Sequence, residues 1–184
     1  MNTLTQLPVD VNSPVFIERK MRVERQFASG VSWFTWIAAL SAINTVLYAF
    51  KIDFLFVFGL GATQLVDALI HSLVEELGSS TQAGLMVRIA GVITSLVIAG
   101  LIYLIGYFAK RRMKGVLVAG MVLYILDGLI FLLARDYLGG IFHLYVLYGL
   151  YRGFQAGGLL EQIEERIRAA HPYAAPVEPT IEQI

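Results

Sequence analysis

The chain of 184 residues contains no cysteine and little charge. Without cysteine it can form no disulfide bond, no thiolate metal site and no cysteine nucleophile. Only 15% of its residues are charged, whereas a typical soluble domain has about a quarter. Fourteen basic residues balance fourteen acidic ones, so the net charge of zero gives no indication of nucleic-acid binding.

What the chain does contain is apolar residues, which make up 57% of it and give a mean hydropathy of +0.68. The interior is especially poor in charge. Between Gln26 and Ala109 the charged residues are Lys51, Asp53, Asp67, Glu75, Glu76 and Arg88. This distribution predicts a multi-pass integral membrane protein of the cell membrane or an inner membrane.

Four apolar runs are long enough to cross a hydrocarbon core, which takes about 20 helical residues. A fifth run is apolar only in its first half. The four long runs cover residues 31–50, 89–109, 116–134 and 139–160, and the fifth covers 54–73. Because lipid-exposed irregular backbone is not tolerated, each run predicts a helix. The predicted fold class is an all-α polytopic membrane bundle of five apolar helices, of which four or five span the membrane.

Polar segments flank this bundle, which we assign to residues 31–160. Within residues 1–30, the stretch 15–28 alternates apolar and charged positions at helical spacing, which predicts an amphipathic helix on the membrane surface. A plain polar tail is the alternative. Residues 161–184 predict a polar helical extension of the last span, ended by a proline at position 172, and then a disordered tail.

The sequence leaves the membrane topology open at the fifth run. If residues 54–73 cross the membrane, the five-span arrangement divides the basic residues six and eight. If residues 54–76 are re-entrant, both chain ends share one side with ten or eleven of the fourteen basic residues, as positive-inside topology favours. The short link at 51–53 and the narrow polar stripe of this run favour a helix packed inside the bundle.

Three charged residues fall near the middle of apolar runs, where charge costs about 2.5–3.5 kcal/mol on insertion scales. They are Asp67, Asp127 and Arg152. One interpretation is a path for an ion, a proton or a small solute, lined by these residues and His71. The other is a buried ion pair in which Arg152 contacts Asp127 or Asp67 and fixes the packing of the helices.

A polar face is predicted on the fifth run, where the spacings of three, four and four residues place four side chains together. They are Gln64, Asp67, His71 and Glu75. With His143 from the last run, the carboxylates and imidazole are weak candidates for a divalent metal site. They could also relay protons, or form a structural seam hydrogen-bonded to neighbouring helices. We expect no catalytic residue and no cofactor.

The last run carries a ridge of small residues, Gly149, Gly153 and Gly157, that predicts close packing with another helix of this chain or of another one. A second stripe of residues lies beside the ridge, and its side chains have apolar stems and polar ends. It consists of Tyr145, Tyr148, Arg152 and Gln155.

These features predict a non-catalytic membrane subunit or scaffold that packs through its helices in the lipid bilayer, against other membrane subunits or a second copy. The alternative is a channel or transporter that uses Asp67, His71, Asp127 and Arg152. An intramembrane metal-dependent hydrolase is a third and weaker hypothesis.

Overall fold

The computed structural model describes residues 11–50 and 59–170, and within those ranges the chain is all-helical, as predicted. Its helices are α1 (Pro14–Ala49), α2 (Gly61–Leu77), α3 (Gln82–Lys110), α4 (Lys114–Leu133) and α5 (Tyr137–Ala170). The predictions for residues 1–10, for the start of the fifth run at 51–58 and for the tail at 171–184 lie outside the described residues.

Helix α1 begins at a sequence-encoded cap and continues for 36 residues. The Ser13 hydroxyl accepts a hydrogen bond from the Phe16 amide at 3.3 Å, and proline occupies the first helical position. The helix predicted at residues 15–28 is therefore the first part of α1 and not a separate surface helix. Its apolar side chains Val23 and Phe27 are buried in the core of the bundle, which keeps this part of the chain in line with the rest of α1.

Three helices, α1, α3 and α4, are long and apolar enough to cross a membrane. Among the described residues, α2 and α5 do not meet the same criterion of length and hydropathy. Helix α2 has only 17 residues, and α5 is less apolar than α4 because it contains His143, Arg152, Gln155 and the charged residues of its final turns. The run at 139–160 is thus less apolar than a typical span, although α5 packs along both α1 and α4.

Three parts of the chain meet at one end of the bundle, which we call the charged end. The Arg112 guanidinium, in the turn between α3 and α4, lies 4.0 Å from the Glu24 carboxylate of α1 and also pairs with Glu164 of α5. Lys114 pairs with Glu161 beside it. The start of α1 and the end of α5 therefore lie on the same side as the α3–α4 turn. The α2–α3 and α4–α5 turns lie at the other end, which we call the opposite end.

Helix α2 starts inside the bundle and not at its surface. The Leu60 amide, just before α2, donates a hydrogen bond to the Ser41 hydroxyl at 2.8 Å. Ser41 lies eight residues, or about 12 Å, before the end of α1. From there α2 runs outward, antiparallel to α3, and its Ile70 packs on Gly91. In the described residues, α2 thus leads back to the opposite end, where α1 also finishes.

The glycine ridge of α5 lies against α1 of the same chain. A Cβ on Gly153 would come within 2.9 Å of the Gly30 Cα atom, so the two backbones are in direct contact. Gly149 lies under the Trp33 indole and Gly157 under a Phe27 ring. The small residues let two long helices approach closely over three turns.

Candidate functional site: a buried Asp–His pair at a helix start

The Asp127 carboxylate of α4 caps the buried start of α2. Its Oδ2 atom accepts a hydrogen bond from the Gly61 amide at 2.9 Å, and its Oδ1 atom accepts one from the Ala62 amide at 2.8 Å. These amides open α2 and have no acceptor within the helix itself. Asp127 is only 7% exposed, so the negative charge and the positive end of the helix dipole meet away from water.

His143 of α5 completes this group. Its Nε2 atom lies 2.9 Å from Asp127 Oδ2, and its Nδ1 atom lies 2.9 Å from the Gly139 carbonyl oxygen. A carbonyl oxygen only accepts, so Nδ1 carries a hydrogen. One more proton is then shared between Nε2 and Oδ2.

The two α2 amides donate to the Asp127 oxygens, and Asp127 and His143 together hold one shared proton. Whichever partner carries that proton, the pair has no net charge, and its entry into an apolar interior costs far less than that of a single ion.

Aromatic rings enclose the His143 imidazole. The Tyr124 ring stacks on His143 with centroids 4.5 Å apart and 14° between the planes, and the Phe131 ring lies at the same centroid distance. Tyr124 is fully buried, and no hydrogen bond to its hydroxyl is present among the described residues. We call Asp127, His143, Tyr124 and the start of α2 the dyad site.

The dyad site lies inside the bundle, and its carboxylate and imidazole form their hydrogen bonds within the bundle. Asp127 is six residues, or about 9 Å, from the end of α4 at the opposite end. The carboxylate has three hydrogen-bonding partners, and both nitrogens of His143 are occupied. This arrangement holds α2, α4 and α5 together at one point.

Arg152 does not pair with Asp127 or Asp67, contrary to the predicted ion pair. Its guanidinium is exposed on α5 and lies 5.9 Å from the centroid of the Tyr148 ring. The reason is its position along α5, because Arg152 lies nine residues, or about 13 Å, beyond His143 toward the charged end. The partner of Asp127 is His143, which sequence reasoning considered only as a metal ligand.

The residues of the polar face predicted on α2 differ in how deeply they are buried. Asp67 is half-buried, and its Oδ1 atom accepts a hydrogen bond from the Ser95 hydroxyl of α3 at 2.9 Å. His71 and Glu75 are exposed, with His71 Nε2 3.4 Å from a Glu75 carboxylate oxygen. Gln64 is half-buried near the start of the helix.

The candidate metal ligands are not brought together. His143 is engaged in the dyad site, whereas His71 and Glu75 lie on the exposed side of α2. Across residues 11–50 and 59–170, no group of three or more His, Asp or Glu residues could hold a metal ion. The structure also separates the residues proposed to line a path, since Asp127 is buried and both His71 and Arg152 are exposed.

Comparisons with protein-family models, with curated proteins and with solved structures found no match to this chain.

Replacing Asp127 by asparagine tests the dyad site. Asp127→Asn keeps the size of the side chain but leaves His143 and the α2 amides without the carboxylate that pairs with them. We expect a loss of about 3–5 kcal/mol in the free energy of unfolding, the usual cost of breaking a buried ion pair. The measurement is reversible unfolding of the purified protein in mixed micelles.

Glu76→Gln is the matched control, because it removes one negative charge from an exposed position of α2. It should leave the free energy of unfolding within about 0.5 kcal/mol of the original. Equal effects of the two substitutions would contradict a stabilising role for the dyad site.

Proposed function

We propose that the protein crosses the membrane four times, with α2 as a re-entrant helix and both chain ends in the cytoplasm. The hydropathy of α1, α3 and α4 supports crossing, and α5 must accompany them because it packs along α1 and α4. The start of α2 beside Ser41 and its return to the opposite end support re-entry.

The distribution of basic residues supports this orientation. The charged end and the helices beyond it carry ten, namely Arg19, Lys20, Arg22, Arg25, Lys110, Arg111, Arg112, Lys114, Arg166 and Arg168. Toward the opposite end the described residues include Arg88 and Arg135. Lysine and arginine concentrate on the cytoplasmic side of membrane proteins, so the charged end faces the cytoplasm.

Single cysteines test this topology directly, because the chain has none of its own. We expect a membrane-impermeant maleimide to label Ser80→Cys, in the α2–α3 turn, in intact cells. Glu18→Cys and Glu165→Cys should react only after the membrane is permeabilised. If α2 crossed fully, these last two positions would lie on opposite sides and would react under different conditions.

For its role, we propose a non-catalytic subunit that packs against a transmembrane helix of a partner protein. The observation that carries this proposal is the outward stripe of α5. Tyr145 and Tyr148 are each 60% exposed, and Arg152 and Gln155 are exposed farther along the same helix. Gln155 is the last residue of the stripe and donates a hydrogen bond to the neighbouring Tyr151 hydroxyl at 2.9 Å.

The depth of this stripe favours a protein partner over lipid. Tyr145 and Tyr148 lie eight and eleven residues into α5, or about 12 and 17 Å, which places them near the middle of a core about 30 Å thick. Lipid-facing tyrosines concentrate at the two membrane surfaces instead. Tyrosine and arginine are enriched at protein interfaces, where their polar tips find partners.

A photo-crosslinking residue at position 148 tests the partner. We expect it to give a discrete protein adduct in native membranes, whereas the same residue in place of Leu126, which is 54% exposed on α4, should react with lipid. The double substitution Tyr145→Leu with Tyr148→Leu should reduce co-purification of the crosslinked protein at least tenfold. Adducts with lipid alone at position 148 would contradict the proposed interface.

A further inference from the structure

A buried hydroxyl on α1 has no partner. Thr45 is fully buried, and its Oγ1 atom makes no hydrogen bond among the described residues. A buried polar group without a hydrogen bond is costly, so it indicates a ligand or a water that would occupy the space beside it.

Helix register identifies the neighbours of Thr45. Helices α1 and α3 run antiparallel, and a Cβ on Gly106 would lie 2.7 Å from the Phe34 Cβ atom. Eleven residues make three helical turns, so Thr45 lies on the same face of α1 as Phe34, three turns further along. Because the helices are antiparallel, a later position on α1 corresponds to an earlier position on α3. Ser95 lies three turns before Gly106 on α3. Helix register therefore places Thr45 and Ser95 at the same level of the α1–α3 contact, and both are fully buried.

Asp67 of α2 joins them through its hydrogen bond from the Ser95 hydroxyl at 2.9 Å. The three residues Thr45, Ser95 and Asp67 form what we call the three-helix cluster. Unlike Asp127, Asp67 has no basic partner within hydrogen-bonding or ion-pair distance in the described part of the chain. The cluster therefore combines a partly buried, uncompensated carboxylate with an unpartnered hydroxyl.

We propose that the three-helix cluster binds a monovalent alkali cation, with sodium as the expected ion. A carboxylate and two hydroxyls supply the hard oxygen ligands that such ions take, and one carboxylate balances one positive charge. A water molecule would satisfy Thr45 but leave the charge of Asp67 without compensation in a low-dielectric setting.

The cation reaches this site from the opposite end of the bundle. Asp67 is half-buried, and beyond it α2 exposes Glu75 and Glu76 toward that end. Arg88 of α3 lies two helical turns from Ser95 toward the same end. The site is separate from the dyad site and independent of the proposed partner interface, so either proposal can fail without the other.

Sodium-dependent stability of the full chain in detergent tests the site. The midpoint of thermal unfolding should rise saturably as sodium chloride replaces choline chloride at constant ionic strength. Binding of radioactive sodium to the purified protein should be measurable in parallel. Asp67→Asn and Thr45→Val should each weaken sodium affinity at least tenfold.

Thr94→Val is the matched control, because Thr94 is the exposed neighbour of Ser95 and its hydroxyl bonds only to the Ala90 carbonyl of its own helix. This variant should retain the sodium response of the original chain. Thr45→Val keeps the shape of the side chain, so it still tests sodium binding if Asp67→Asn does not fold. A saturable response to sodium or potassium that Thr45→Val abolishes supports the site.

Three results would overturn the proposal. They are unfolding midpoints that are equal in sodium, potassium and choline, a response to divalent ions alone, and a sodium response that Thr45→Val leaves unchanged. The first of these is the outcome expected if only water fills the cluster.

Discussion

The contact on which the bundle depends most is the one between the Asp127 carboxylate and the first amides of α2. A helix that starts inside an apolar bundle exposes amide hydrogens that cannot reach water, and each would be costly if left unpaired. Asp127 accepts hydrogen bonds from two of them, and its Oδ2 atom also pairs with His143. Without this carboxylate, the buried start of α2 would leave its first amides unpaired.

Small residues make that contact possible by letting the helices approach. At the dyad site, a Cβ on Gly61 would lie 3.1 Å from the Asp127 carbonyl oxygen, and one on Gly128 would lie 3.3 Å from His143. Farther along α5, contact between Gly153 and Gly30 joins α5 to α1. Polar pairing thus joins α2, α4 and α5 at the dyad site, whereas close packing of small residues joins α1 and α5. Both kinds of contact are ways in which helices associate in an apolar setting.

The sequence predicts the helices and the unusual residues better than it predicts the partners of those residues. Length and hydropathy indicate all five helices, and the spacing of Gly149, Gly153 and Gly157 indicates a packing surface. The pairing of Asp127 could not be read in the same way, because it depends on how far α5 is shifted along α4. Arg152 carries the obvious opposite charge but lies about 13 Å too far along the helix. His143 lies at the level of Asp127, but residue spacing along the chain does not indicate that alignment.

The protonation of His143 is the most direct measure of this account, because an ion pair and a neutral pair place different numbers of hydrogens on the imidazole ring. Nitrogen-15 NMR of the protein in lipid, with His143 assigned by its loss in His143→Gln, reports the hydrogen on each ring nitrogen. A buried ion pair that anchors α2 predicts hydrogens on both Nδ1 and Nε2 at neutral pH. A neutral ring with a bare Nε2 would contradict it.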